Sequence, residues 1–135
     1  MQDSVTFTLH GKPFAKQRAR FSRKSGRAYT PGETISFEQY VAGMARDLFP
    51  APMPGPVRLI IMATFAPAAS WSKKKAAALL HRPHTQKPDL DNIAKAVSDG
   101  LNRIAFADDS AIADLQCRKV WGIVAQTVVI VEPIE

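Results

Sequence analysis

The chain has 135 residues, of which 46% are hydrophobic and 22% charged, and it carries a formal net charge of +6. That makeup belongs to a globular protein with one core, so a single domain over residues 1–135 is expected, and disordered, fibrous and multidomain classes are excluded. No apolar run reaches bilayer length and the N-terminal MQDSVTFTLH has neither a basic region nor a long apolar one, which points to a cytoplasmic protein with no membrane partner. The lone Cys117 rules out an intrachain disulfide and reads as a small apolar residue in a strand.

Taken in chain order, residues 4–10 alternate with the period of two expected of a strand. The segment HGKPFAKQRARFSRKSGRAYTPGE then reads as a long basic loop, with Ser25 and Gly26 turning between two short strands. Thr34 or Ser36 is expected to cap a helix through FEQYVAGMARDLF, which stops before the proline-rich PAPMPGP. Residues 57–66, VRLIIMATFA, form an almost unbroken apolar run of strand length, as in a strand covered on both faces. A short helix, SWSKKKAAALL, with a serine cap follows, and after the loop HRPHTQKPD a second long helix is expected over residues 90–104.

At about 100° per residue, Leu90, Ile93, Ala94, Val97, Leu101 and Ile104 share one stripe of that helix, which packs it on a sheet. Asp91, Lys95 and Asp99 recur four apart along one flank. FADDS makes a turn, and AIADLQCRKVW and IVAQTVVIVE read as two antiparallel neighbouring strands joined tightly at Trp121 and Gly122. The whole order argues for an α+β fold with helices on one face of the sheet.

Charge is unevenly distributed. Residues 4–32 contain no acid yet hold Lys12, Lys16, Arg18, Arg20, Arg23, Lys24 and Arg27; residues 48–88, also free of acid, hold Arg58, Lys73, Lys74, Lys75, Arg82 and Lys87. Six of the twelve acids then crowd between Asp89 and Asp114. A solvated surface accounts for most charge runs, but two cationic stretches flanking one acidic cluster favour phosphate binding.

In KPDLDN, an N-cap uses one carboxylate and Pro88 keeps the approach extended, so one of Asp89 and Asp91 is left to point outward. Asp108, Asp109 and Ser110 form a turn, yet a pair of aspartates exceeds what the turn needs. Several carboxylates brought together repel unless a cation joins them, and hard oxygens suit Mg²⁺ or Mn²⁺. Lys95, one turn beyond Asp91, is placed to steady a phosphate; the plainer reading is an ion pair with Asp91 or Asp99. His81 and His84 lack zinc spacing and are expected to be exposed or to contact phosphate. No glycine-rich phosphate loop, serine elbow or kinase motif is present, which excludes P-loop nucleotide hydrolysis.

The segment KPDLDNIAKAVSDGLNRIAFADDSAI followed by RKVW resembles the RusA family of Holliday junction resolvases, and GKPFAKQRARFSRKSGRAYTP is similar to the basic N-terminal part of its members. The resemblance covers most of the chain and implies a small mixed sheet with helices on one face. It also implies a homodimeric, Mg²⁺-dependent endodeoxyribonuclease that makes paired nicks in four-way junction DNA. On that resemblance Asp89, Asp91 and Asp109 are the metal ligands, Lys95 is the essential basic residue of the site, Asp108 is a neighbour and Asp99 a support. DNA-binding residues are expected to be Lys16, Arg18, Arg20, Arg23, Lys24, Arg27, Lys73, Lys74, Lys75 and Lys87. Gly100, where alanine is more usual, and the short link WGIVAQ depart from the family pattern. Two other readings were open: a module that binds branched or single-stranded DNA without cutting it, with Trp71 and Phe21 stacking on bases, and a carboxylate-pair glycosidase, which two such basic stretches disfavour.

Overall fold

Alternation of large apolar residues decides which face of each strand is buried. In the computed structural model, which describes residues 3–135, strand β4 (Val57–Phe65) buries Val57, Leu59, Ile61, Ala63 and Phe65 on one side. Arg58, Ile60, Met62 and Thr64 lie on the other side, which is partly open. The expectation of a strand covered on both faces is therefore corrected. Its apolar character instead reflects a central position, since β4 pairs along both edges.

The four-stranded sheet has the order β1 (Val5–His10), β6 (Gln126–Pro133), β4, β5 (Ile112–Trp121). β1 and β6 pair antiparallel, as do β6 and β4, whereas β4 and β5 are parallel. A second, two-stranded ribbon joins β2 (Arg20–Phe21) and β3 (Ala28–Tyr29) within the basic loop. Gly26, at φ 69°, supplies the left-handed turn there. The helices are α1 (Gly32–Leu48), α2 (Lys73–Leu79) and α3 (Leu90–Leu101). This is the expected α+β domain with a mixed sheet. Among the described residues no helix is long and apolar enough to cross a membrane.

β5 and β6 are not neighbours, contrary to the sequence expectation: β4 lies between them. Residues 122–125 straddle the end of β4, where the Gly122 N–H donates to the Phe65 carbonyl at 2.9 Å. Four residues suffice to cross two interstrand spacings, roughly 10 Å. The crossing is tight, since a Cβ on Gly122 would stand 2.4 Å from Thr64 Cγ2.

The expected α3 stripe is largely buried, with Ile93, Ala94, Val97 and Leu101 in the core, though Leu90 stays exposed and the helix ends at Leu101 rather than 104. Ser72 caps α2 as anticipated, its Oγ accepting from the Lys75 N–H at 3.1 Å. Neither Thr34 nor Ser36 caps α1, because Pro31 occupies that position. Thr34 is instead fully buried, its hydroxyl donating to Gln17 Oε1 at 3.1 Å and thereby fastening the basic loop to the helix.

Gly100 belongs to the α1–α3 contact. A Cβ there would lie 2.7 Å from Val41 Cβ, closer than packed side chains allow. Gly100→Ala is therefore expected to lose stability even though alanine is the better helix former by about 1 kcal/mol, since overpacking costs about 1–3 kcal/mol. Urea denaturation should show a lower midpoint.

Candidate active site

Where a loop enters α3, the chain bends over residues 86–88 with a cis Lys87–Pro88 bond, instead of running extended as expected, and only Asp89, in the N-cap position with φ −71° and ψ 144°, is extended. Its carbonyl accepts from the Ile93 N–H, but its carboxylate makes no capping hydrogen bond. Asp91 Oδ1 accepts, among the described residues, only from the adjacent Asn92 N–H, at 3.0 Å. Neither carboxylate is consumed in the way an ordinary cap consumes one, and both are exposed.

The approach to Asp89 is held from β5. Lys119 Nζ donates to the Gln86 carbonyl at 2.6 Å and to the Pro88 carbonyl at 2.7 Å. Backbone bonds from His84 N–H to the Lys119 carbonyl and from His81 N–H to the Trp121 carbonyl align the same loop along the outer edge of β5. Sequence reasoning quoted Lys119 but gave it no role, and its carbonyl partners lie far away in the chain with no local signal.

After α3 in the chain, the Asp108 carboxylate accepts from the Ser110 N–H at 3.2 Å and caps the short 3₁₀ turn Asp109–Ala111. Hydrogen bonding from the Ser110 side chain first, and then from the Ser110 N–H, holds its pKa below the ordinary value. Asp109 is left exposed, its Oδ2 3.9 Å from Lys95 Nζ. Lys95 also pairs with Asp99 Oδ1 at 2.9 Å, the i,i+4 contact that was the plainer reading of this lysine. Asp99 Oδ2 accepts a second cation, Lys16, at 2.9 Å, and Lys16 reaches Glu38 at 2.8 Å. Partial burial pushes the Asp99 carboxyl up, but hydrogen bonds from Lys16 and Lys95 outweigh it, so its pKa lies below the ordinary 3.8. Burial likewise opposes the Lys16 charge, and Glu38 with Asp99 overcomes it, leaving that pKa raised.

Lys16, expected among the DNA-binding residues, is partly buried and engaged with two carboxylates. Arg18, Arg20, Arg23, Lys24 and Arg27 are exposed on and around the β2–β3 ribbon, as are Lys73, Lys74 and Lys75 on α2 and Lys87 in the loop before Asp89. Lys75 Nζ lies 4.1 Å from the centroid of the Trp71 ring, a cation–π contact. The basic loop is tied to α3 by the Lys16 N–H, which donates to the Asn92 carbonyl at 2.8 Å. Between loop and helix runs an open groove of about 620 Å³, lined among others by Lys12, Gln17, Lys87 and Asp89.

His84 corrects another expectation. It is 5% exposed, stacked on Phe65 with ring centroids 3.9 Å apart and tilted against Trp121 at 4.5 Å. Burial, then the charges of Lys119 and Lys12, lowers its pKa and so favours the neutral ring. Cys117 packs as expected, and burial pushes its thiol up to about 11, which makes it a poor nucleophile.

Among the described residues no three His, Cys, Asp or Glu side chains are gathered into a ready-made metal cage. Asp89, Asp91 and Asp109 each have the donor chemistry a hard cation takes: Asp89 has no capping bond, all three are exposed, and all offer oxygen donors. Mg²⁺ keeps several waters and binds through one or two carboxylates plus substrate phosphate, so a preassembled cage is not required.

Comparison with known proteins agrees with the motif. A family model described as Endodeoxyribonuclease RusA matches residues 10–132. The chain is also similar to the Uncharacterized protein YqaN of Bacillus subtilis (strain 168), at 35% identity over 128 residues that cover 89% of each chain.

Proposed function

The chain belongs to the RusA family of endodeoxyribonucleases, a family of Holliday junction resolvases, and from that membership we propose that it is a Mg²⁺-dependent, homodimeric enzyme that nicks four-way junction DNA in pairs. The observation that supports this reading best is the groove in which Asp89, its carboxylate uncommitted to a cap, shares the walls with Lys12 and Lys87. Acid and base there serve one substrate: cations hold the phosphates, and carboxylates hold the ion that meets one of them.

In this reading Asp89, Asp91 and Asp109 hold the metal. When bound, Mg²⁺, or Mn²⁺ in its place, supplies an activated water and a countercharge to the phosphate oxygens. Lys95, steered by Asp99 and close to Asp109, stabilises negative charge developing on the scissile phosphate. The ribbon arginines and the α2 lysines grip the arms of the junction, and Lys87 holds backbone beside the cut. A twofold dimer sets two equivalent sites against two equivalent strands, and the cut leaves a 5′-phosphate and a 3′-hydroxyl that a ligase can rejoin.

The direct test incubates the protein with synthetic four-way junction, fork and duplex DNA, in Mg²⁺ and in chelator. Symmetric, ligatable nicks in the junction alone, absent in chelator, are expected. If the junction is bound with a steep salt dependence yet stays intact in Mg²⁺, the protein is a binding module and the catalytic reading is wrong.

Asp99→Asn isolates the support of Lys95. It keeps shape but removes the charge that holds two lysines, so single-turnover cleavage should fall about 10–100-fold, the range for groups that orient a site from behind, with junction affinity nearly unchanged. An equal loss of affinity and rate would instead mean that Asp99 acts on binding. Because the folded-state pKa of Asp99 lies below 3.8, its stabilising pairs are complete above that value and are lost as pH falls through the lower one.

A further inference from the structure

We propose that an aromatic pocket beside the carboxylate groove takes one unstacked nucleobase from the DNA strand whose phosphates pass Lys12 and Lys87. The inference deepens the nuclease reading and rests on it for the identity of the polymer.

The pocket encloses about 330 Å³, the lower end of the roughly 300–1,000 Å³ typical of small-ligand sites and suited to a single planar ring system. Its walls are Phe65, Trp71, His84 and Trp121. They form a continuous aromatic set, with Phe65 and His84 stacked at 3.9 Å, His84 and Trp121 at 4.5 Å, and Trp121 and Trp71 at 5.4 Å between centroids. No acidic residue lines it, and Lys12 and Lys87 do. Those same two lysines line the groove that contains Asp89, so the pocket and the carboxylates share one cationic rim. An anionic chain held on that rim can direct a phosphate to one side and a base to the other. Gln86 offers an amide to a base edge, and His84 Nδ1 is buried without a hydrogen-bond partner. A hydrophobic peptide would satisfy the aromatic walls but leave both lysines unused, whereas a nucleotide uses both kinds of group.

The chain has two tryptophans, and both line the pocket, so intrinsic fluorescence reports on this site directly. Wild-type protein in chelator, where metal-dependent cutting is prevented, is titrated with a short single-stranded oligothymidylate and with an abasic oligomer of equal length and charge. The base-bearing oligomer should quench the emission and bind at least about tenfold more tightly, since aromatic stacking on a base is worth that much. In Trp71→Phe the quench should fall by about half while thermal melting stays two-state. Equal affinity for both oligomers with unchanged emission overturns the proposal, and that wild-type comparison stands even if the variant folds poorly. The two readings fail separately: quenching without nicking of junctions in Mg²⁺ removes the nuclease and keeps the pocket, and nicking without quenching or base preference removes the pocket and keeps the nuclease.

Discussion

Asp89→Asn should lower Mg²⁺-dependent junction cleavage about a thousandfold, because metal charge stabilises the transition state by several kcal/mol and each 1.36 kcal/mol is about tenfold in rate. The substitution leaves the fold nearly untouched. Asparagine caps helices as well as aspartate does, and the Asp89 carboxylate makes no capping bond to lose. Stability should therefore shift by no more than about 0.5 kcal/mol, and junction affinity in chelator should hold or rise, since one negative charge leaves a groove that receives phosphate. Asp108→Asn provides the contrast: its carboxylate serves the Ser110 N–H, which an amide oxygen can also serve. It should keep most of the activity. Single-turnover rates for the two variants, with binding measured in chelator, check both expectations. Equal rates in wild type and Asp89→Asn would remove Asp89 from the metal site.

The exposure of Asp89, Asp91 and Asp109 and the pairing of Lys95 with Asp99 could be read from the sequence because they follow from short motifs whose local geometry is set within a few residues. The same holds for the serine cap of α2 and the buried stripe of α3, where spacing alone decides which residues face inward. What escaped was fixed by contacts between distant segments. Alternation in β5 and β6 shows that both are strands but not that β4 separates them, since a strand pattern carries no label for its partner. Gly100 reads in the sequence as a departure from the family pattern, and its reason lies in Val41, distant in the chain and packed against it. Lys16 had the sequence context of a phosphate ligand, yet folding brings Glu38 and Asp99 to it and uses its charge internally. His84, in a polar loop with Pro83, gave no hint that Phe65 and Trp121 would enclose it.

Phe106→Ala should be the costliest single truncation for the site, because it removes packing and placement together. Phe106 is fully buried between the end of α3 and Asp108. It bridges to Met53, whose N–H donates to the neighbouring Ala105 carbonyl at 2.8 Å. Its loss should cost about 3–5 kcal/mol, a large part of the roughly 5–15 kcal/mol that holds a domain together, and the urea midpoint should fall accordingly. The functional consequence follows from position. Asp109 reaches Lys95 at 3.9 Å across two elements joined by this corner, and a collapsed or widened corner changes that approach. Cleavage by the folded fraction should thus fall as well, which distinguishes Phe106→Ala from a variant that is only unstable. Phe106→Leu keeps most of the volume and should cost far less of both. If Phe106→Ala, corrected for its folded fraction, cuts as fast as wild type, then Asp109 is held by its own turn and the corner has no part in setting the site.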